Sequence, residues 1–183
     1  MSATAPLWVF AYGSLLWSPP FVPAEVARAR LRGWRRSFCL WSVHWRGTEA
    51  EPGLVLALDA DPAGACEGLA LRAEPGTEEE VLAELRAREL VSGAYEERTL
   101  AVALRDGREV EALAYVIRRG HRQHARLPLD AQAEVIARAA GLRGPNRDYL
   151  ESTARYLAQL GIDDPEVAAL LARVRRLAAG TGA

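Results

Sequence analysis

Two groups of residues in this sequence have the types and the settings to do chemistry. The first is Tyr12-Gly13-Ser14-Leu15, which ends the apolar run that starts at Leu7. A buried strand opening into Gly-Ser presents consecutive backbone N–H groups. Such a turn is a cradle for a carboxylate, or for the negative charge that builds on a carbonyl oxygen under attack. A plain turn, with glycine supplying an unusual φ, accounts for the same residues. The second group is Glu89, which the periodicity places in the last turn of a helix over 78–91, just before Ser92-Gly93. A carboxylate there faces the negative end of the helix dipole, at a cost of about 0.3–1 kcal/mol. Arg86 and Arg88 offset that cost if Glu89 is a solvated surface group. If it points inward, dipole and burial both raise its pKa toward neutrality, as a general acid or base requires. Both readings stand on the residues alone.

Other chemistries lack their motifs. No G-x-S-x-G elbow, no G-x-x-x-x-G-K-[ST] loop and no G-x-G-x-x-G fingerprint occurs. His121 and His124 are three apart but lack the glutamate of a zinc-binding helix, and His44 is distant, so solvated loop histidines and no metal site are expected. Glu80 has a sufficient structural role, because Thr77-x-x-Glu80 has the form of a capping box.

Composition narrows the partners. The 183 residues carry 24 acidic and 23 basic side chains, net charge −1, and every basic one is arginine. Acids offset the arginines along the whole chain, so no basic stripe for nucleic acid is expected. The missing lysine removes Schiff-base chemistry and a phosphate-loop lysine, and is otherwise read as arginine replacing lysine at solvated sites. Apolar stretches fall far short of the roughly 20 residues that a membrane helix needs. Cys39 and Cys66 lie in apolar segments and no secretory h-region opens the sequence, which predicts reduced, buried thiols in a cytoplasmic protein. The length predicts one domain over 1–183.

The elements that position these residues follow from periodicity. Strands are predicted at 7–12, 34–45, 54–58 and 68–71, the last two separated by a turn at Asp61-Pro62-Ala63-Gly64. After the helix at 78–91, strands at 99–104 and 110–117 are joined through Asp106-Gly107, a hairpin signal. Helices follow over about 129–140, 148–160 and 165–179, the last with Asp164 as cap and Pro165 at the first helical position. A strand-rich first two-thirds with one inserted helix, closed by C-terminal helices, is an α+β domain whose short strands can curl into a small barrel.

In order along the chain, the segments Val9–Trp17, Trp45-Arg46-Gly47-Thr48 with Pro52-Gly53, Gly68-Leu69-Ala70, Arg88-Glu89, Gly93-x-Tyr95 and Gly144–Leu150 resemble the ChaC-like γ-glutamylcyclotransferases. The match spans residues 9 to about 150. The resemblance implies a γ-glutamylcyclotransferase-like β-barrel on which the C-terminal helices from about 129 pack. It also implies cleavage of glutathione to 5-oxoproline and cysteinylglycine, without metal or organic cofactor. Carried over by position, it makes Glu89 the catalytic residue and puts Tyr12, Gly13, Ser14 and Leu15 around the γ-glutamyl group, with Tyr149 near the substrate. Two departures stand out: Leu90–Ala94 between Glu89 and Tyr95 is longer than the family's usual segment, and Arg118–His124 is unusually basic. Arg46 or the arginines of 118–122 are candidates to hold a substrate carboxylate. A cyclotransferase for other γ-glutamyl compounds and a non-catalytic γ-glutamyl-binding barrel are the alternatives.

Overall fold

The computed structural model describes residues 5–180. Its strands are β1 (Trp8–Ala11), β2 (Glu25–Ser42), β3 (Gly53–Arg72), β4 (Tyr95–Leu104) and β5 (Glu109–Ile117). They close into a barrel in the order β1-β3-β2-β4-β5. β1 is antiparallel to β3 from Trp8↔Arg72 to Ala11↔Leu69 and parallel to β5 at Trp8↔Ala112. Helix α1 (Glu78–Glu89) is inserted between β3 and β4, and α2 (Leu129–Arg138), α3 (Asn146–Gln159) and α4 (Pro165–Gly180) come last. The class is α+β.

The chain divides into two compact units. One comprises Met1–Arg36 and Leu58–Arg118, the other Ser37–Ala57 and Arg119–Ala183, so β2 and β3 supply residues to both. The first unit has Val9, Phe10, Leu58, Leu71, Leu85, Val102 and Val116 in its core, all nearly without solvent contact. In the second, α2, α3 and α4 pack on one another through Ile136, Leu150, Leu157, Leu170 and Val174. None of the described helices is long and apolar enough to cross a membrane.

Several expectations are corrected. β2 begins at Glu25 and not at Trp34. Residues 29–32 alternate buried and exposed along Ala-Arg-Leu-Arg, which is strand periodicity in a segment poor in β-branched residues. The turn at 61–64 does not divide β3. Asp61 Oδ1 accepts the Ala63 N–H at 3.2 Å, the local bond of a turn, but Gly64 has no positive φ and the backbone stays in one strand. Pro62 is exposed there, and prolines within sheets are confined to edges, strand starts and bulges.

The capping box does not form either. The Thr77 hydroxyl donates to Glu74 O, and so does the Thr77 N–H that Glu80 would have to hold, so Glu80 has no capping role. Helix α2 stops at Arg138, earlier than predicted, and residues 140–141 pair with 144–145 as strands β6 and β7. Gly141 serves close approach: a Cβ there would lie 2.6 Å from Gly47 N and His44 O. The hairpin holds, with Gly107 at φ +94 and Leu104 and Arg108 closing the turn. So does the Asp164 cap, whose Oδ1 accepts the Val167 N–H at 3.1 Å.

Gly68 shows how tightly the strand before the Gly-Ser turn is packed. A Cβ there would overlap the Ala11 carbonyl oxygen and stand 3.0 Å from the Phe10 ring. Gly68→Ala is therefore expected to push β1 from β3 and to destabilise by about 1–3 kcal/mol, read as a lower urea midpoint. An unchanged midpoint would show that the two strands part without cost.

Candidate active site

Tyr12 is fixed at two points. Its hydroxyl donates to the Tyr115 carbonyl at 2.8 Å in a buried setting, and its own carbonyl accepts Arg36 Nε at 2.7 Å. Arg36, only 5% exposed, also donates to Glu67 O at 2.5 Å, so one buried guanidinium ties the end of β1 to β3. Beyond Gly13 the chain makes a single 3₁₀ turn, Ser14–Leu16. Leu16 N–H donates to Gly13 O and Ser18 N–H to Ser14 O, each at 2.9 Å. The N–H groups of Gly13, Ser14 and Leu15 precede the first one that the turn uses for itself, as at the start of any helical turn. Gly13 has φ −130, so the unusual φ offered as the simpler reading is not what glycine supplies here. The Leu15 side chain is buried in the first unit.

Glu89 is the last residue of α1. Its side chain is 15% exposed, so it is not a solvated surface glutamate. Arg88 Nε stands 3.2 Å from Glu89 Oε1. The same guanidinium donates to Ser14 Oγ at 2.8 Å and to Ser18 O at 2.5 Å. The 14–18 turn and the end of α1, more than seventy residues apart in sequence, are thus joined through one side chain.

A second chain of contacts runs alongside. The Tyr115 hydroxyl donates to Glu97 Oε2 at 3.0 Å, and Glu97 receives Arg86 through two nitrogens at 2.9–3.1 Å. Burial pushes the Tyr115 phenol well above its ordinary pKa, and the charges of Glu97 and then Glu89 push the same way, against Arg86. The phenol stays protonated and keeps its bond to Glu97. Neither Arg36 nor the Tyr115–Glu97 pair was legible in the sequence: no motif marks them, and their partners lie on other strands.

Tyr149 belongs to the second unit. It is buried on α3, edge-on to Phe38 at 5.9 Å between ring centroids, with the Arg46 guanidinium 5.6 Å from its own centroid. Arg46 Nη1 donates to Arg143 O at 2.7 Å and Pro145 O at 3.2 Å, which fastens the loop before α3. Burial holds its pKa below the usual guanidinium value. In the basic segment, His121 Nδ1 accepts the Gln123 N–H, and Gln123 holds the Trp41 carbonyl. Among the described residues no group of three His, Cys, Asp or Glu side chains is placed to hold a metal ion.

The family model for ChaC-like proteins matches residues 7–177. This chain belongs to the ChaC-like family. Among curated relatives, the glutathione-specific γ-glutamylcyclotransferase of Escherichia coli is 36% identical over 178 residues, covering 95% of this chain and 75% of that protein. The human glutathione-specific γ-glutamylcyclotransferase 1 is 30% identical over 170 residues, covering 90% and 77%. A crystal structure of a yeast glutathione-specific γ-glutamylcyclotransferase superposes with a TM-score of 0.85 at 24% identity, covering 94% of this chain and 97% of that one. The expected barrel with an inserted helix and C-terminal helices is therefore the fold this chain has.

Proposed function

We propose that this ChaC-like protein is a glutathione-specific γ-glutamylcyclotransferase that releases 5-oxoproline and cysteinylglycine. The observation that carries the reading is the shielded Glu89 carboxylate, joined through Arg88 to the turn that follows Tyr12. The family membership and the names of its relatives support the substrate class.

The reaction closes a five-membered ring within one substrate. The α-nitrogen of the γ-glutamyl group forms a bond to the γ-carbonyl carbon, and the bond from that carbon to the cysteinyl nitrogen breaks. Glu89 takes a proton from the α-ammonium and returns one to the departing nitrogen. The second proton on the new ring nitrogen passes to the released amine, so protons balance and water is not consumed. Orientation supplies much of the rate, because holding amine and carbonyl in contact is worth roughly 7–11 kcal/mol. Charge on the γ-oxygen falls to fixed donors, and the N–H groups of Gly13, Ser14 and Leu15 are the ones proposed. Tyr149 is assigned to the substrate's surroundings on its family position. Cys39 and Cys66 are both buried, as expected of reduced structural thiols, and the cytoplasm is proposed as the site of action.

Incubation with glutathione, γ-Glu-Ala and γ-Glu-ε-Lys, each assayed for 5-oxoproline, tests the reading. Product from glutathione alone is the expected result. Product from all three would make this a general γ-glutamyl enzyme, and glutathione binding without product over hours would make it a binding barrel.

A further inference from the structure

Arg88 precedes Glu89 on α1, and in sequence it has the modest task of offsetting a charge at a helix end. Its contacts describe a larger one. Neighbouring residues on a helix project about 100° apart and do not face each other, so an i,i+1 ion pair is not a product of helix geometry. Here Arg88 Nε reaches Glu89 Oε1 at 3.2 Å because its other two nitrogens are already fixed, on Ser14 Oγ at 2.8 Å and on Ser18 O at 2.5 Å. Two nitrogens of one rigid, planar fork are spent on hydrogen bonds to the 14–18 turn, and the third lies in ion-pair range of the carboxylate. With side chains 26% and 15% exposed, Arg88 and Glu89 meet where water screens them little.

We propose that Arg88 is the positioning residue of this site: it sets the orientation of the Glu89 carboxylate, keeps it ionised at rest, and ties it to the 14–18 turn. This rests on the cyclotransferase reading and deepens it. Arg88 is a charged group in direct contact with Glu89, at 3.2 Å. From β5 Glu89 feels Tyr115, a phenol that stays protonated. Glu97 on β4 accepts from the hydroxyl of that same Tyr115 and is matched by Arg86 on α1. A guanidinium beside a carboxylate favours its charged form, so removing Arg88 moves the protonation of Glu89 to higher pH. A base that works as the carboxylate then loses activity on the acid side sooner.

The test compares the wild type with Arg88→Gln and Arg88→Lys, using 5-oxoproline release from glutathione over a pH series. For Arg88→Gln, kcat is expected to fall about 100-fold with KM little changed, the size of effect a misplaced group produces. Its acid limb is expected to move up by about one pH unit. Arg88→Lys should bring the limb back, because the charge returns, but not kcat, because one ammonium lacks the fork. An acid limb that stays where it is in Arg88→Gln, or a kcat that drops only in proportion to lost folded protein, overturns the proposal. A carboxyl-carbon NMR titration of Glu89, assigned with Glu89→Gln, separates the two readings. If the wild type makes no product, the cyclotransferase reading fails. The titration still decides whether Arg88 holds Glu89 ionised, and an unshifted midpoint in Arg88→Gln overturns that as well.

Discussion

Glu89→Gln is expected to leave the protein folded and to lower 5-oxoproline release from glutathione by about 10²–10⁴-fold, the range for losing a positioned acid–base group. The change is isosteric, and the amide fills the place beside Arg88 where the carboxylate oxygen lies 3.2 Å from Nε. Arg88 keeps its bonds to Ser14 Oγ and Ser18 O in the variant, so the unfolding midpoint should move little. The chemistry loses much more. The carboxamide cannot take a proton from the α-ammonium, and it therefore has none to return to the leaving nitrogen. Both halves of the proton exchange fail in one substitution. Because catalysis and folding separate here, steady-state kinetics and thermal unfolding on the same sample decide the matter. A variant that keeps most of its turnover would remove Glu89 from the reaction.

What the sequence made legible follows from where each signal is stored. Glu89 could be placed at the end of α1 because helix period and the stop at Ser92-Gly93 are local properties. The turn after Tyr12 was equally local, since an apolar run meeting Gly-Ser ends a strand whatever surrounds it. The partners of these residues were not local. Arg88 reaches Ser14 across 74 positions, and Tyr12 reaches Tyr115 across 103, distances over which no periodicity carries information. The strand errors have the same origin. Asp61-Pro62-Ala63-Gly64 has turn chemistry, and Asp61 makes the local bond of a turn, yet the strand context overrides it. Arg46 was a candidate for gripping a substrate carboxylate because arginine is suited to that work; the two backbone carbonyls that its Nη1 holds, on residues almost a hundred positions away, were not to be read from the chain.

Asn146, which the family resemblance touched only as part of Gly144-Pro145-Asn146, is the residue whose loss should harm the fold most. Its side chain is fully buried. Oδ1 accepts the Leu54 N–H at 2.7 Å, and Nδ2 donates to the Leu54 carbonyl at 2.7 Å. The amide stands in for a neighbouring strand and satisfies both polar groups of one residue in β3. Gly53 makes room for it, since a Cβ there would lie 2.7 Å from Oδ1. Asn146→Leu leaves a buried donor and a buried acceptor unpaired, each worth about 1–3 kcal/mol. The sum, about 2–6 kcal/mol, is a large part of the roughly 5–15 kcal/mol that holds a domain folded. In a chain of this size that lowers Tm by about 5–20 °C. Asn146→Asp separates the two bonds, because it keeps the acceptor and sets a carboxylate against the Leu54 carbonyl. Burial and that carbonyl favour the protonated acid, so the folded pKa lies above the unfolded one. The variant should be least impaired at low pH, where the acid donates in place of the amide, and should lose stability as pH rises through the folded pKa. Thermal unfolding of both variants over a pH series reads the effect. A Tm within about 2 °C of the wild type for Asn146→Leu would mean that water reaches Leu54 and that the amide is not its essential partner.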